Sequence, residues 1–267
     1  MSDDLLYVYT VSRTATPPEP PLALDPRPRL GTGPELVEHQ GLTAVAEPVA
    51  PADFDEQPLR AHLEDLDWLA TVARTHHAVV EHVGALTTTV PLRLATVCRG
   101  REGVRRMLAE ARDTLGEALD RVADAEEWGI KLYATAEAVD RPPTGAATAG
   151  AGAAPSGRDY LRRRLSDRRT QADRTDEARR TAEALHERLR CRAAEAVLHP
   201  PQQPQLSKAP GRNVLNAAYL VPTAGRQSFL DSVPPAGELP EGMRVEVTGP
   251  WVPYSFTQTT TAPARPS

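Results

Sequence analysis

The sequence predicts an α+β fold made of two small domains, each an antiparallel sheet with helices on one face, of ferredoxin-like type. Its length of 267 residues is enough for one to two domains. Its 26 prolines fall in clusters and leave long proline-free gaps in which helices can form. Short runs rich in β-branched and aromatic residues alternate with segments of helical periodicity, which is the pattern expected of mixed α+β domains.

We expect the N-terminal domain to span residues 1–123. Its first seven-residue apolar run predicts a buried strand, and apolar residues at i, i+3 and i+4 predict two amphipathic helices, the first of which Gly84 ends. In chain order the predicted elements are a strand at 5–11, a strand at 42–46, a helix at 59–84, a strand at 90–97 and a helix at 104–122.

We expect the C-terminal domain to span residues 124–257 and to contain a long helical hairpin excursion. An Ala/Gly/Thr-rich stretch at 144–157 predicts a flexible linker, and the Thr/Pro/Ala-rich residues 258–267 predict a disordered tail. The helix after the linker carries a thin apolar stripe, which favours packing against the preceding helix. The predicted elements are a strand at 128–133, a helix at 158–197, a strand at 216–222, a short helix around 229–230 and a strand at 243–248.

Composition and charge exclude several classes of protein. The formal net charge of -5 argues against a protein that coats nucleic acid by bulk charge. Cys98 and Cys191 lie far apart and form neither a disulfide framework nor a zinc motif. No apolar run is long enough to span a bilayer, and the first residues lack a signal peptide's positive region. We therefore expect a cytoplasmic protein with no membrane contact.

A histidine cluster is the densest group of candidate metal ligands. His76, His77, Glu81 and His82 follow one another on a predicted helix, and His77 and Glu81 have the i, i+4 spacing of one helix face. The group does not match H-E-x-x-H, and no further ligands are evident. We favour a solvated or partly packed helix face and expect no metal, with a metal site as the alternative.

An arginine-rich run follows the linker and includes Arg162, Arg163 and Arg164. Such a run is able to bind phosphates, but acidic residues follow at salt-bridge spacing and no aromatic residues are interleaved for base stacking. We favour an exposed, charge-laced helix, then a protein-binding face, and only last a nucleic-acid contact.

No catalytic motif is present in the sequence. It lacks G-x-S-x-G, the P-loop pattern and G-x-G-x-x-G, and its glycine-rich stretch has no following lysine. We expect no enzymatic activity and no cofactor.

Three segments resemble, in order and spacing, signature blocks of the gas vesicle GvpF/GvpL family. They are residues 90–97, 127–133 and 248–256, the last being the most specific, and further strand-like matches extend the resemblance from about residue 5 to 256. Three residues, at two places in the chain, depart from the family's usual pattern. Leu94-Ala95 replaces Phe-Gly in P-L-R-F-G-T, and Thr223 replaces the arginine after Leu-Val-Pro.

The resemblance implies two α+β domains, the first a modified ferredoxin-like fold, and a non-enzymatic accessory or minor structural role in gas vesicle formation. It implies binding to the hydrophobic shell protein and to other accessory proteins, at the gas vesicle and without nucleic acid. It does not separate the F-type from the L-type and leaves the oligomeric state open. The alternative function is a scaffolding or regulatory protein that docks an acidic partner or nucleic acid through the Arg-rich helix at 158–192.

The candidate partner-binding residues are Trp251, Tyr254 and Phe256, with Arg162 and Arg163 for the alternative function. The three aromatic residues lie on a proline-stiffened segment that offers large apolar side chains. We favour a structural role for this segment, as a plug that closes the second domain, over a direct partner contact. Arg93 and Trp128 are treated as family markers, with Trp128 expected to be a core anchor.

Overall fold

A computed structural model describes residues 4–15, 29–135, 157–201 and 211–257. The described residues divide into two compact units: unit 1 contains those up to Glu127 and from Pro250 onward, and unit 2 contains those from Trp128 to Gly249. The expected division at residue 123 is therefore four residues early. Residues 250–257, which we expected in the second domain, belong to unit 1.

Along the chain, the described part of unit 1 consists of three strands, three helices, two more strands and two more helices. The strands are β1 (Leu5–Arg13), β2 (Glu35–His39), β3 (Leu42–Val49), β4 (Thr89–Pro91) and β5 (Val97–Arg99). The helices are α1 (Pro51–Phe54), α2 (Glu56–His62), α3 (Leu66–Gly84), α4 (Gly100–Glu110) and α5 (Arg112–Val122).

β1 is the centre of the antiparallel sheet of unit 1. The strand order is β2-β3-β1-β4, and β5 also pairs with β1. Eight of the nine residues of β1 are buried, which explains why its sequence is almost continuously apolar or aromatic. A register shift in the pairing with β3 lies between Val8 and Thr10, so Tyr9 is at an irregularity of the strand.

The predicted strand at 90–97 is wrong, because the chain leaves the sheet in its middle. β4 pairs with residues 10–12 of β1, and β5 pairs with residues 5–7. Between them, the amide of Thr96 donates to the carbonyl oxygen of Arg93, which closes a turn. Arg93 is exposed on this turn, so it needs no buried carboxylate partner.

α3 is the principal helix of unit 1. Asp65 caps it by accepting hydrogen bonds from the amides of Asp67 and Trp68. Its buried residues follow helical spacing: Val72, Thr75, His76, Val79, Val80 and Val83. The helix ends at Gly84 as predicted, but the predicted single helix from residue 59 is broken, because α2 ends at His62 and a new cap begins three residues later.

Other elements of unit 1 also differ from the prediction. β2 was not predicted, because its charged residues hide the apolar alternation around its one buried residue, Val37. The predicted helix at 104–122 is two helices that meet at Ala111, whose φ of -98° and ψ of 9° are not helical.

Unit 2 contains a four-stranded sheet and one long helix. Its elements are β6 (Ala125–Ala134), which starts in unit 1, α6 (Gly157–Arg190), β7 (Glu195–Leu198), β8 (Arg212–Pro222), α7 (Arg226–Leu230) and β9 (Met243–Trp251), which ends in unit 1. The strand order is β7-β8-β6-β9. The predicted strands at 128–133, 216–222 and 243–248 lie within β6, β8 and β9, and the short helix at 229–230 lies within α7.

α6 packs against the sheet of unit 2 through its C-terminal half. Ala178, Ala182, Leu185 and Leu189 are buried, and the last three share a core cluster with Ile130, Leu132 and Tyr219. Trp128 belongs to the same cluster, which confirms it as a core anchor. Three details of the prediction are wrong. The helix was expected to pack against the preceding helix, but its buried residues contact the sheet of unit 2. The helix ends at Arg190, and residues 195–198 form β7 because they complete the antiparallel pairing with β8.

Two predicted segments fall mainly outside the described residues. The linker at 144–157 does so apart from Gly157, which begins α6, and the tail at 258–267 does so entirely. Among the helices that the structure describes, none combines the length and apolarity required to cross a membrane.

Candidate functional site

Residues 251–257, which we call the C-terminal segment, lie against α3 and the end of α5. The amide of Ser255 donates to Oε2 of Glu127 at 2.8 Å, and its hydroxyl donates to Oε1 of the same carboxylate at 2.7 Å. Nη1 of Arg121 donates to the carbonyl oxygen of Phe256 at 3.4 Å. Both backbone and side chain therefore fix the position of this segment on unit 1.

Aromatic contacts join the C-terminal segment to two adjacent histidines of α3. The ring centroid of Tyr254 lies 6.4 Å from that of His76 and 6.1 Å from that of His77. Trp251 lies 5.7 Å from His77, between ring centroids. Gly84 accommodates the segment, because a Cβ at this position would lie 2.3 Å from Cγ2 of Val252.

The three aromatic candidates differ in accessibility. Trp251 is 38% exposed, whereas Phe256 is only 4% exposed. Tyr254 is half-buried, and burial raises the pKa of its phenol above the usual value. Phe256 and Tyr254 are thus mainly packed within unit 1, so the segment does not close the second domain as we expected. Trp251 is the aromatic residue of the segment that presents an open face.

Beneath the segment lies a buried aromatic and polar cluster that sequence analysis did not identify. Nδ1 of His76 is 2.9 Å from the hydroxyl of Tyr7, which also accepts a hydrogen bond from the amide of Ala95. Burial, and secondly the charge of His77, lowers the pKa of His76 from 6.5 to about 4. The imidazole is therefore neutral at pH 7, and it acts as a core side chain.

Glu47 is a fully buried carboxylate in β3. It accepts a hydrogen bond from the hydroxyl of Tyr9 at 2.5 Å and three more from the amides of Leu30, Gly31 and Gly33. Burial, followed by the bond to Glu47, raises the pKa of Tyr9, so the phenol remains protonated. The carboxylate holds the loop before β2 against the sheet.

The histidine cluster is divided between two environments. His76 faces the core, whereas Nε2 of His77 lies 3.1 Å from Oε1 of Glu81 on the half-exposed side of α3. Within the described ranges, no three His, Cys, Asp or Glu side chains are grouped to hold a metal ion. The arrangement is that of a partly packed helix face.

Arg162 and Arg163 lie in α6, and their side chains are outside the described part of the structure. Further along the helix, Arg179 pairs with Glu183 at 2.8 Å, and Arg190 pairs with Glu187 at 2.8 Å. The described half of the helix therefore has the charge-laced character that its sequence predicts.

Unit 2 carries a groove of about 430 Å³ between α6 and the sheet. Ala178, Ala182 and His186 line it from the helix, and Leu198 and Arg212 line it from β7 and β8. The groove exists because α6 presents alanines here, where larger side chains would fill the space.

Comparison with known proteins identifies the family of this chain. The sequence model described as "Gas vesicle synthesis protein GvpL/GvpF" matches residues 5–258. The chain belongs to the GvpL/GvpF family. It is 46% identical over 257 residues to a curated "Gas vesicle protein L" from Streptomyces sp. (strain CB03234), a match that covers 96% of this chain and 93% of that protein.

Crystal structures of two GvpF proteins share the fold. The structure of GvpF from Anabaena sp. PCC7120 has a TM-score of 0.64 at 16% identity and covers 96% of this chain and 97% of that one. GvpF from Microcystis aeruginosa has a TM-score of 0.61 at 18% identity and covers 97% of this chain and 100% of that one. The family resemblance inferred from the three signature blocks is confirmed.

The structure explains what the two departures from the family pattern do to the backbone. Ala95 has a φ of 63°, in the left-handed region where glycine is favoured, and it stands where the family pattern has glycine. Thr223 is exposed at the start of a 3-10 turn that follows β8. Ala95 therefore places a strained residue in the turn between β4 and β5, whereas Thr223 lies on the surface.

Sequence reasoning missed Glu47 and the position of His76. The available signal for Glu47 was an acidic residue inside the otherwise apolar run of β3, which requires hydrogen-bond donors if the strand is buried. For His76 the signal was its place on the same helical face as Val72, Val79, Val80 and Val83.

Proposed function

We propose that this chain is a non-enzymatic accessory or minor structural protein of gas vesicle formation, which binds the hydrophobic shell protein and other accessory proteins during assembly. Membership of the GvpL/GvpF family supports the role in gas vesicle formation. Trp251 is our candidate for the direct contact, and Tyr254 and Phe256 hold it in place.

The observation that carries this assignment is the exposed indole of Trp251 on a segment whose backbone is fixed. The hydrogen bonds of Ser255 to Glu127 and the packing of Phe256 immobilise the segment before any partner arrives. A rigid aromatic side chain loses little conformational entropy on binding, which is why Trp is enriched among the residues that dominate protein interfaces.

The test is capture of the tagged full-length chain from vesicle-forming cells at low and high salt, with detection of the shell protein. An apolar contact should persist or strengthen at high salt. Trp251→Ala should weaken retention of the shell protein about 30-fold, the effect of losing a contact of ~2 kcal/mol. Leu165→Ala, which truncates another exposed apolar residue, is the matched control and should retain it.

Two outcomes would contradict the proposal. One is equal loss of the shell protein in the Trp251 and Leu165 variants, and the other is no shell protein at either salt concentration. Recovery of nucleic acid or an acidic protein at low salt only would support the alternative function of the arginine-rich helix, through Arg162 and Arg163, because charge-driven binding weakens steeply with salt.

A further inference from the structure

The groove of unit 2 is an apolar recess with a cationic rim. Ala178, Ala182 and Leu215 line its apolar part, and all three are buried. Leu198 stands at its opening and is 60% exposed. A recess of about 430 Å³ next to an exposed leucine is a surface that a partner's apolar side chain fits.

Arg212 gives the rim its free positive charge. It is exposed at the start of β8, and it makes no ion pair with any other residue that the structure describes. The second arginine of the rim, Arg179, is already paired with Asp176 and Glu183. The groove therefore favours an occupant that carries an apolar side chain and an uncompensated acidic group near it.

Unit 1 presents such a feature at the turn between α2 and α3. Leu66 is 78% exposed and Leu63 is 43% exposed. Glu64, Asp65 and Asp67 are exposed around them, and their carboxylates form no ion pair within the described chain. We call residues 63–67 the acidic leucine turn.

The turn has a rigid shape. The carboxylate of Asp65 accepts hydrogen bonds from the amides of Asp67 and Trp68 at 3.0 and 3.2 Å, which fixes the start of α3. Leu66 is the first residue of that helix and projects from it without apolar cover. Leu66 and Leu63 therefore form a small exposed apolar surface that is bordered by carboxylates.

We propose that the groove of unit 2 binds the acidic leucine turn of a second copy of this chain. Leu66 of one copy enters the recess between α6 and β8 of the other, and the neighbouring carboxylates face Arg212. The charges are complementary, and both apolar surfaces lose contact with water. This inference does not depend on the shell-protein contact, because it uses neither Trp251 nor a second protein.

The contact joins two different surfaces, so it is heterologous. An open series of such contacts keeps one free groove at one end and one free turn at the other, and the protein is therefore expected to form head-to-tail oligomers, either open or closed into a ring. A symmetric dimer would require one surface to meet itself, which this contact does not do.

The test is a complementation experiment by sedimentation velocity on the purified full-length chain. The average mass of the unmodified protein should rise with concentration. Arg212→Glu disables the groove and Leu66→Ser disables the turn, and each should weaken self-association about 30-fold. A mixture of the two variants should form a one-to-one pair and nothing larger, because one functional groove and one functional turn remain.

Matched controls carry the same chemical changes elsewhere. Arg188→Glu reverses a charge on α6 outside the groove, and Leu86→Ser removes another exposed leucine; both should associate like the unmodified protein. Circular dichroism of each variant checks that it is folded.

Three results would overturn the proposal. They are a mass that does not change with concentration, variants that associate as strongly as the controls, and a mixture that grows beyond pairs or does not pair at all. Loss of shell protein from the Arg212 variant, without self-association of the unmodified chain, would assign the groove to a different protein and also overturn it. Failure here leaves the Trp251 experiment unaffected, so the two hypotheses are separable.

Discussion

The cores of the two units are built from different kinds of side chain. In unit 1, the buried set under α3 includes Tyr7, whose hydroxyl lies 2.9 Å from Nδ1 of His76, and Tyr9, whose hydroxyl donates to the carboxylate of Glu47. In unit 2, an aliphatic and aromatic cluster lies under α6, Asn213 and Ser232 are the buried polar residues among those that the structure describes, and Nδ1 of His186 lies 2.8 Å from the hydroxyl of Tyr219. Among the described residues, the core of unit 1 therefore contains a buried carboxylate and a buried imidazole, whereas the core of unit 2 contains neither.

This difference predicts how the stability of each unit responds to substitutions and to acid. A buried polar group is costly when its partner is lost or when it gains a charge, so unit 1 should be sensitive to single-atom substitutions and to acid. In unit 2, the alanines of α6 leave the groove as open space, so substitutions there should be tolerated better than substitutions in the core of unit 1. Of the three predictions below, ordered from the largest effect to the smallest, the first two test this view of unit 1 and the third tests the backbone strain in its turn between β4 and β5.

Replacing Glu47 by alanine should lower the free energy of unfolding by about 4 kcal/mol. The substitution removes the acceptor for the hydroxyl of Tyr9 and for the amides of Leu30, Gly31 and Gly33. Urea denaturation followed by circular dichroism measures the change.

Glu38→Ala is the control for the Glu47 variant. Glu38 is exposed on β2, and its loss should change stability by no more than about 0.5 kcal/mol. If the two variants were equally stable, the core of unit 1 would not depend on this carboxylate.

Acid should weaken the fold through His76. Its pKa in the folded protein, about 4, is below the ordinary value of 6.5. Between pH 6.5 and pH 4 the unfolded chain binds a proton at His76 but the folded protein does not. The free energy of unfolding is therefore highest above pH 6.5 and decreases as the pH falls towards 4. The loss approaches about 3 kcal/mol.

The measurement is the free energy of unfolding between pH 7 and pH 4, for the unmodified protein and for His76→Gln. The glutamine variant should show a shallower decline, since Tyr7, Tyr9, His77 and Tyr254 still surround the site but no buried imidazole titrates. His39→Gln, on β2, should keep the original slope. Parallel curves for all three proteins would show that His76 is not the acid-sensitive group.

Replacing Ala95 by glycine should stabilise the protein by up to about 1 kcal/mol. The φ of 63° at this position is unfavourable for a residue with a Cβ and costs glycine nothing. The gain is limited because glycine also has more freedom in the unfolded chain. Thermal unfolding is sufficient to detect the change.

Ala109→Gly makes the same chemical change on an exposed position of α4 and should destabilise by about 1 kcal/mol. Opposite signs for the two variants are the expected result. A loss of stability in both would mean that the turn between β4 and β5 is not strained at Ala95.

Periodicity and proline placement were enough to locate most helices and strands. Gly84 ended α3 as its position predicted, and the alternation of residues 128–133 indicated the strand β6 of the second sheet. The errors occurred where tertiary pairing overrides local preference. Residues 195–197 continue a helical pattern but pair with β8, and residues 92–96 look extended but form a turn, because β1 pairs with β4 and β5 at separate positions.

The candidate site was only partly accessible to sequence reasoning. The family resemblance selected residues 248–256, and large aromatic side chains on a proline-rich segment identified Trp251, Tyr254 and Phe256. Their different exposure was not predictable, because it depends on α3 and Glu127, which are more than a hundred residues away in sequence.

By itself, the sequence determined the α+β class, the helical periodicity of α3 and α6, and the family to which the chain belongs, because these depend on local patterns and on motif order. Only the tertiary structure decided that residues 250–257 return to unit 1, that Glu47 and His76 are buried, and that the alanines of α6 leave a groove. The physical reason is that burial and hydrogen-bond partnership are set by residues distant in the chain, which no local pattern specifies.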